Sequence, residues 1–301
     1  MEYTRRELGK MALALPAASL IPLRAKPNSK FNGVQIGLNV PYSFGNNLMP
    51  ADETLRSCVQ LGVSAVELRS QPVEAFMGVP TELLRRASQK ADVEKLAQPR
   101  LSAPLDKAKA LRKQWDDAGV KIEILKFDGI YNMSDEVLDY AFALARAVGA
   151  RAISCEISHE LPNTERVGKF ADKHGLMVGY HGHTETAPEH WKAAFAQAKH
   201  NGANVDIGHF IAGTNTSPVP FITEFHDRIT HLHVKDRKKN NGANVPFGEG
   251  DTPVKEVLQL LREKKWNIQA TIEYEYPVPS GSDRMAEIGK CVQFCKAALS
   301  T

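Results

Sequence analysis

The sequence predicts a single closed (β/α)8 barrel, the TIM-barrel architecture, in the α/β class. Three observations predict it. Eight short apolar runs alternate with eight amphipathic helical patterns, glycines stand where helical patterns give way to the runs, and no glycine-rich phosphate loop follows the first run. Strand–helix alternation is the pattern of a parallel sheet wrapped by helices. Nearly continuous apolar runs are expected where both faces of a strand are buried. Without the glycine-rich loop, an open dinucleotide-binding sheet lacks its fingerprint.

Strands are expected over 34–40, 65–70, 120–127, 151–158, 176–183, 204–210, 229–236 and 268–276. Helices are expected over 52–61, 105–118, 134–148, 162–174, 189–201, 219–226, 253–265 and 283–299. Gly62, Gly119, Gly149, Gly175 and Gly202 each end a helical pattern, and glycine suits the left-handed residue that closes a helix. Ser134 followed by Asp135 and Glu136 gives the third helix a cap and an acidic first turn. Residues 71–104 form a long, Pro-containing insertion after the second strand, placed to act as a lid over the mouth of a barrel.

Composition bounds the answer. A chain of 301 residues with 43% hydrophobic and 24% charged residues is ordinary globular material, which excludes collagen-like, disordered and disulfide-dense classes. No apolar run approaches the roughly 20 residues that cross a bilayer, so stable membrane insertion is not expected. The net charge of +3 resides in residues 1–26, where Arg5, Arg6, Lys10, Arg24 and Lys26 face only Glu2 and Glu7. The remainder is neutral, which argues against a nucleic-acid partner. Cys58, Cys155, Cys291 and Cys295 have no metal-finger spacing and read as buried apolar residues.

Residues 1–26 read as an export signal: Thr4-Arg5-Arg6-Glu7-Leu8-Gly9-Lys10, an apolar run over 11–23, then small and basic residues. The twin arginines resemble the bacterial signal that sends folded proteins across the inner membrane. The large apolar residue usual after the pair is displaced, because Glu7 precedes Leu8. A periplasmic barrel over 31–300 is the expectation, with cleavage near Ala18 or Ala25.

The C-terminal ends of barrel strands face the active site. Those ends carry Glu67; Lys126 and Asp128; Glu156; His181 and His183; Asp206 and His209; His231, His233 and Lys235; and Glu273 and Glu275. Buried carboxylates and imidazoles need partners, and one divalent metal would pair several at once. Residues two apart share a strand face, so His181 pairs with His183, His231 with His233, and Glu273 with Glu275. Mixed oxygen and nitrogen donors suit manganese, zinc, cobalt or magnesium. Outside the mouth, Arg237, Lys238 and Lys239 read as a solvated run. His174, His190, His200 and His226 read as surface residues, and Trp115, Trp191 and Trp266 as packing.

Four motifs make the reading more specific: Tyr180-His181-Gly182-His183-Thr184-Glu185, Val205-Asp206-Ile207-Gly208-His209, His231-Leu232-His233-Val234-Lys235-Asp236 and Ile272-Glu273-Tyr274-Glu275. In this order they resemble the sugar phosphate isomerase/epimerase family, the xylose-isomerase-like barrels, over about residues 31–300. The resemblance implies one divalent metal on Asp206, His233 and Glu273, with His209 beside the substrate. Many relatives place a metal-binding glutamate where this chain has His181, a departure that keeps His181 among the candidate ligands and points to Glu156 as the missing carboxylate ligand. Many relatives are dimers or tetramers, so a homo-oligomer is implied as well.

The chemistry such a site favours is proton abstraction beside a carbonyl through a metal-stabilised enediolate. Glu273, Glu156 and His183 are the candidate bases; His183, His209, Lys235 and Glu67 are the candidate substrate contacts. Returning the proton makes an isomerase or an epimerase. A leaving group one carbon further on makes a lyase of 3-keto-glycosides. Export favours a free sugar or keto-sugar as substrate over a phosphorylated one. An abasic-site endonuclease-like barrel and a non-catalytic sugar-binding barrel are the readings from other classes.

Overall fold

The computed structural model describes residues 26–301. The expected export signal thus lies outside the described residues, Lys26 excepted. Eight parallel strands form the centre: β1 (Val34–Val40), β2 (Ala65–Arg69), β3 (Lys121–Lys126), β4 (Ala152–Glu156), β5 (Met177–His181), β6 (Asn201–Asp206), β7 (Ile229–Val234) and β8 (Gln269–Ile272). Each pairs with the next, and β8 returns to β1 through Ala270 opposite Ile36 and Ile272 opposite Leu38. The sheet is therefore a closed barrel with helices around it.

Side-chain alternation divides the barrel into an apolar outside and a polar lumen. Leu38, Val205, Leu232 and Ile272 belong to the large buried cluster shared with the helices. Their neighbours on the opposite face are Asn39, Asp206, His233 and Glu273, all buried. The core sits between sheet and helices, and the upper lumen is filled with ionisable groups instead. The four cysteines are buried and free. No helix among the described residues is long and apolar enough to cross a membrane.

Gly62, Gly119, Gly149 and Gly175 close helices Ala51–Leu61, Leu105–Ala118, Asp135–Val148 and Leu161–His174 in the left-handed conformation. Gly202 corrects the pattern. It lies inside β6, where a Cβ would come within 2.6 Å of the Arg228 carbonyl oxygen, so close backbone approach explains it. The preceding helix stops at Gln197, and β6 spans 201–206 rather than 204–210. Asp206 ends the strand by capping helix Ile207–Thr214, its carboxylate accepting from His209 N at 2.7 Å.

Residues 71–104, the insertion after the second strand, fall largely in helices Ser70–Met77, Thr81–Leu84 and Lys90–Ser102, which the helical patterns above do not include. A fully buried ion pair, Arg100 Nε to Glu74 Oε1 at 2.7 Å, ties the first of these helices to the last. Ser70 Oγ donates to the same carboxylate at 3.0 Å. The segment is a packed shoulder. Arg100→Met is expected to lower unfolding free energy by about 3–5 kcal/mol, because it leaves Glu74 buried without its cation. Urea melts of the two proteins check this, and a loss under about 1 kcal/mol would show the pair to be dispensable.

Candidate metal centre

Strand register brings the ionisable residues to one level. Asn39 stands opposite Glu67, Arg69 opposite Lys126, Glu156 opposite His181, and Asp206 opposite His233. β8 stops at Ile272, so Glu273 and Glu275 project just beyond its ladder. The result is a group of four buried residues, His181, Asp206, His233 and Glu273, each offering a ligand atom within 4.8 Å of the others. Asp206 Oδ2 lies 3.5 Å from His181 Nε2 and 3.8 Å from His233 Nδ1, and Glu273 Oε2 lies 3.3 Å from His233 Nδ1.

Each imidazole of this group has a carboxylate on its far nitrogen. Glu156 Oε2 is 2.8 Å from His181 Nδ1, and Glu67 Oε2 is hydrogen-bonded to His233 Nε2. This is the arrangement that orients metal-binding histidines and fixes their tautomer. It changes two expectations. Glu67 is fully buried beneath His233, with Oε1 3.4 Å from His231 Nε2, so it supports the imidazoles and is out of reach of a substrate. Glu156 stands behind His181 and outside the group of four, although with His181 and His183 it forms a second cluster of ligand type. Asn39 Nδ2 donates to Glu273 Oε1 at 2.6 Å, and Lys126 Nζ to Glu156 Oε1 at 2.7 Å.

The charges follow from burial and partners. Burial alone would raise the Glu67 carboxyl, but His233 and His231 beside it hold it well below the usual range. Burial opposes a charge on His233, yet Glu67 and Glu273 carry it up to about 10. His231, fully buried, is pushed down to about 4, with Glu67 opposing that shift and His233 adding to it. Lys235 is buried as well; Asp206, Glu273 and Glu275 overcome that burial and raise it above its ordinary value. Its Nζ lies 3.0 Å from Asp206 Oδ2, 2.5 Å from Glu273 Oε2 and 2.6 Å from Glu275 Oε2.

An orphaned atom tests whether these residues fit a divalent ion. His233 Nδ1 is buried without a hydrogen-bond partner, although it faces Asp206 and Glu273. Once an ion displaces the His233 proton, a nitrogen lone pair beside two carboxylate oxygens, with carboxylate-backed imidazoles, is the donor set that manganese, zinc, cobalt or magnesium accepts. The residues fit. Glu67→Gln is expected to weaken metal affinity about 10–100-fold by loosening His233, as outer partners of metal ligands generally do. Titration calorimetry with the metal alone measures it, and unchanged affinity would separate Glu67 from the centre.

Around this group stand His183, His209 and a rim that the strand-end pattern missed. His183 Nε2 is 2.8 Å from Glu156 Oε2, and its side chain is 46% exposed. Tyr42 OH donates to Glu275 Oε1 at 2.6 Å, and Arg69 Nη1 donates to Asp128 Oδ2 at 2.7 Å. Asn39 and Arg69 were findable, since each lies within an apolar run and Arg69 shares a face with Glu67 two residues earlier. Arg237 is not solvated as expected: its Nη1 is 2.7 Å from His209 Nδ1. Lys238 and Lys239 are exposed. Trp115 and Trp191 are core, whereas His226 stacks on Trp266 well away from the mouth.

A closed barrel with carboxylates and imidazoles gathered at its C-terminal mouth defines a broad class of barrels that keep their sites at that end. Within that class, residues 55–297 match the family described as Xylose isomerase-like TIM barrel, and the chain belongs to it. Among solved structures it is similar to a xylose isomerase domain protein from Planctomyces limnophilus, with 17% identity and a TM-score of 0.63 over 88% of this chain and 97% of that one. A D-tagatose 3-epimerase-like protein gives 16% and 0.58 over 89% and 97%. The 3-keto-D-glucoside 4-epimerase YcjR from E. coli gives 12% and 0.58 over 88% and 99%. At these identities the likeness establishes the fold. No curated protein matches the chain.

Proposed function

We propose that this protein is a periplasmic, divalent-metal-dependent isomerase or epimerase of a free sugar or keto-sugar. The observation that carries the reading is the group His181, Asp206, His233 and Glu273, with one orphaned nitrogen and a carboxylate behind each imidazole. The two epimerase names among structures of the same fold support it. A divalent ion held by these four residues would supply the positive charge that acidifies a C–H beside a carbonyl and offsets the charge left when the proton departs.

The chain's own groups divide the remaining work. Glu273 is a poor base: Lys235 and His233 overcome its burial and hold it well below the usual carboxylate range. Glu156 is similarly lowered, against its own burial, by Lys126 and His181. His183 differs. The Glu156 hydrogen bond, opposed by partial burial, raises it above the ordinary 6.5, and its exposure leaves it open to a substrate. His183 therefore takes the proton and Glu156 orients it. Arg69, Lys126 and Lys235 are each already paired with a carboxylate, which leaves none of these three free for a phosphate and supports an unphosphorylated substrate. The twin-arginine leader supports the same choice, since sugar phosphates are cytoplasmic.

The test is proton NMR in deuterated water with the metal-loaded chain and a panel of free ketoses and 3-keto-glucosides. Deuterium is expected at the carbon beside the carbonyl. Exchange coupled to release of the aglycone would make the enzyme a lyase, and binding without exchange would leave a sugar-binding barrel. A base must be neutral to act, so kcat/KM is expected to fall with decreasing pH through a value above 6.5. Glu156→Gln removes the negative charge that favours the imidazolium, so the same limb moves to lower pH. A limb that stays in place would remove His183 from this role.

A further inference from the structure

A second cavity, of about 660 Å³, lies at the end of the barrel opposite the metal centre. Strand starts bound it: Gln35 in β1, Lys121 at the head of β3, Arg151 just before β4 and Gln269 at the head of β8. That volume suits a small ligand. The charges around it do not balance. Four cations line it, Lys30, Arg112, Lys121 and Arg151, against the carboxylates of Asp116 and Glu123. Asp116 is 3.4 Å from Arg112 Nε and Glu123 is 2.9 Å from Arg151 Nε, so both acids are paired. Lys30 and Lys121 have no ion pair among the described residues. Gly149 makes room for Arg112, whose Cζ would lie 2.6 Å from a Cβ at that position. A concave site with an excess of one charge concentrates small ions of the other.

A buried amide marks where the uncharged part of such a ligand would lie. Gln269 is 2% exposed and shares the luminal face of β8 with Thr271 and Glu273. Its Nε2 donates to Thr271 Oγ1 at 2.9 Å, while Oε1 is buried without a hydrogen-bond partner. Gly37 leaves the space this side chain occupies, since a Cβ there would collide with Nε2. A buried carbonyl oxygen needs a donor, which a carboxylate lacks and a sugar hydroxyl supplies. We infer that the N-terminal end of the barrel binds an anionic sugar, either a sugar acid or a sugar phosphate. Its charge lies among Lys30, Lys121 and Arg112, and one hydroxyl donates to Gln269. The site is separate from the mouth and depends on no step proposed there.

Titration calorimetry of the full chain at low salt, with glucuronate, glucose 6-phosphate, glucose and inorganic phosphate, tests this. At least one anionic sugar is expected to bind about tenfold tighter than both glucose and inorganic phosphate. Which of the two binds better identifies the charged group as carboxylate or phosphate. The double variant Lys30→Gln/Lys121→Gln, altered only at exposed positions, should weaken that binding about tenfold. Gln269→Met should erase the preference over inorganic phosphate, and the lysine variant keeps the test independent of whether Gln269→Met folds. Asp206→Asn, which dismantles the metal centre, should bind the same sugar unchanged. Its titration therefore separates this site from the mouth and stands whether or not the chain is an isomerase. Four results would overturn the inference: no binding of either anionic sugar, equal binding of inorganic phosphate (an adventitious ion only), full affinity in the lysine variant, or loss of binding in Asp206→Asn.

Discussion

Purified wild-type chain is expected to carry about one divalent ion, and Asp206→Ala, prepared identically, none. Asp206 Oδ2 faces both His181 Nε2 and His233 Nδ1 in the group of four, at 3.5 and 3.8 Å. Loss of an outer partner already costs metal affinity about 10–100-fold, so removing a ligand should exceed that. Alanine also removes the cap on helix Ile207–Thr214, worth about 1 kcal/mol. Asp206→Asn keeps an acceptor for the His209 N–H and loses only the charge, so it separates folding from binding. Both variants should lose the ion and solvent exchange together. No ion in the wild type after reconstitution would remove the proposed chemistry, and more than two per chain would favour an endonuclease-like centre.

The second large effect is expected at Lys235, and its sign depends on the ion. Its ammonium touches Asp206 Oδ2 and Glu273 Oε2, the oxygens that face His233 Nδ1. Lys235→Met leaves those carboxylates and Glu275 without their cation. Metal-free protein should therefore lose about 3–5 kcal/mol of stability, the usual penalty for orphaning buried charge. The ion, meeting no competing cation, should bind the variant more tightly. Because a ligand stabilises in proportion to the logarithm of its concentration over Kd, the gap between metal-free and metal-loaded melting temperatures should widen. Thermal unfolding with and without saturating metal gives all four values. An equal gap in both proteins would mean that Lys235 and the ion do not share these oxygens.

Much of the fold was legible because its signals are local. Four left-handed glycines mark four helix ends, and Ser134 caps its helix by accepting from Val137 N. β6 was displaced because Asn201-Gly202-Ala203-Asn204 carries no apolar run. Its asparagines are buried polar residues; Asn201 Nδ2 donates to the Ala194 carbonyl at 2.8 Å. That contact depends on tertiary packing and leaves no periodicity in the sequence. The helices of the insertion 71–104 were missed for a related reason: the last of them has weak amphipathic spacing and is fastened by the Glu74–Arg100 pair.

The candidate site was legible as an inventory and not as a wiring diagram. Strand ends named His181, Asp206, His233 and Glu273 because polar residues at the close of apolar strands stand out. Which carboxylate backs which imidazole depends on register and tilt, so the support that Glu67 gives His233 and Glu156 gives His181 was not legible in the sequence. Arg237 was hidden in a basic run whose composition suggests solvent, and only the fixed turn around Asp236 aims it inward.

The four central residues come from the last four strands, and their supports come from the first four. Asn39 reaches Glu273, Glu67 reaches His233, Lys126 reaches Glu156, and Glu156 reaches His181. Neither half of the chain holds a complete centre. During synthesis the final donor, Glu273, follows the last strand, and its orienting partner Asn39 lies on the first. On the proposed reading, tight metal capture would report that the ring has been sealed, and an unfinished or half-length chain would leave the ion in solution.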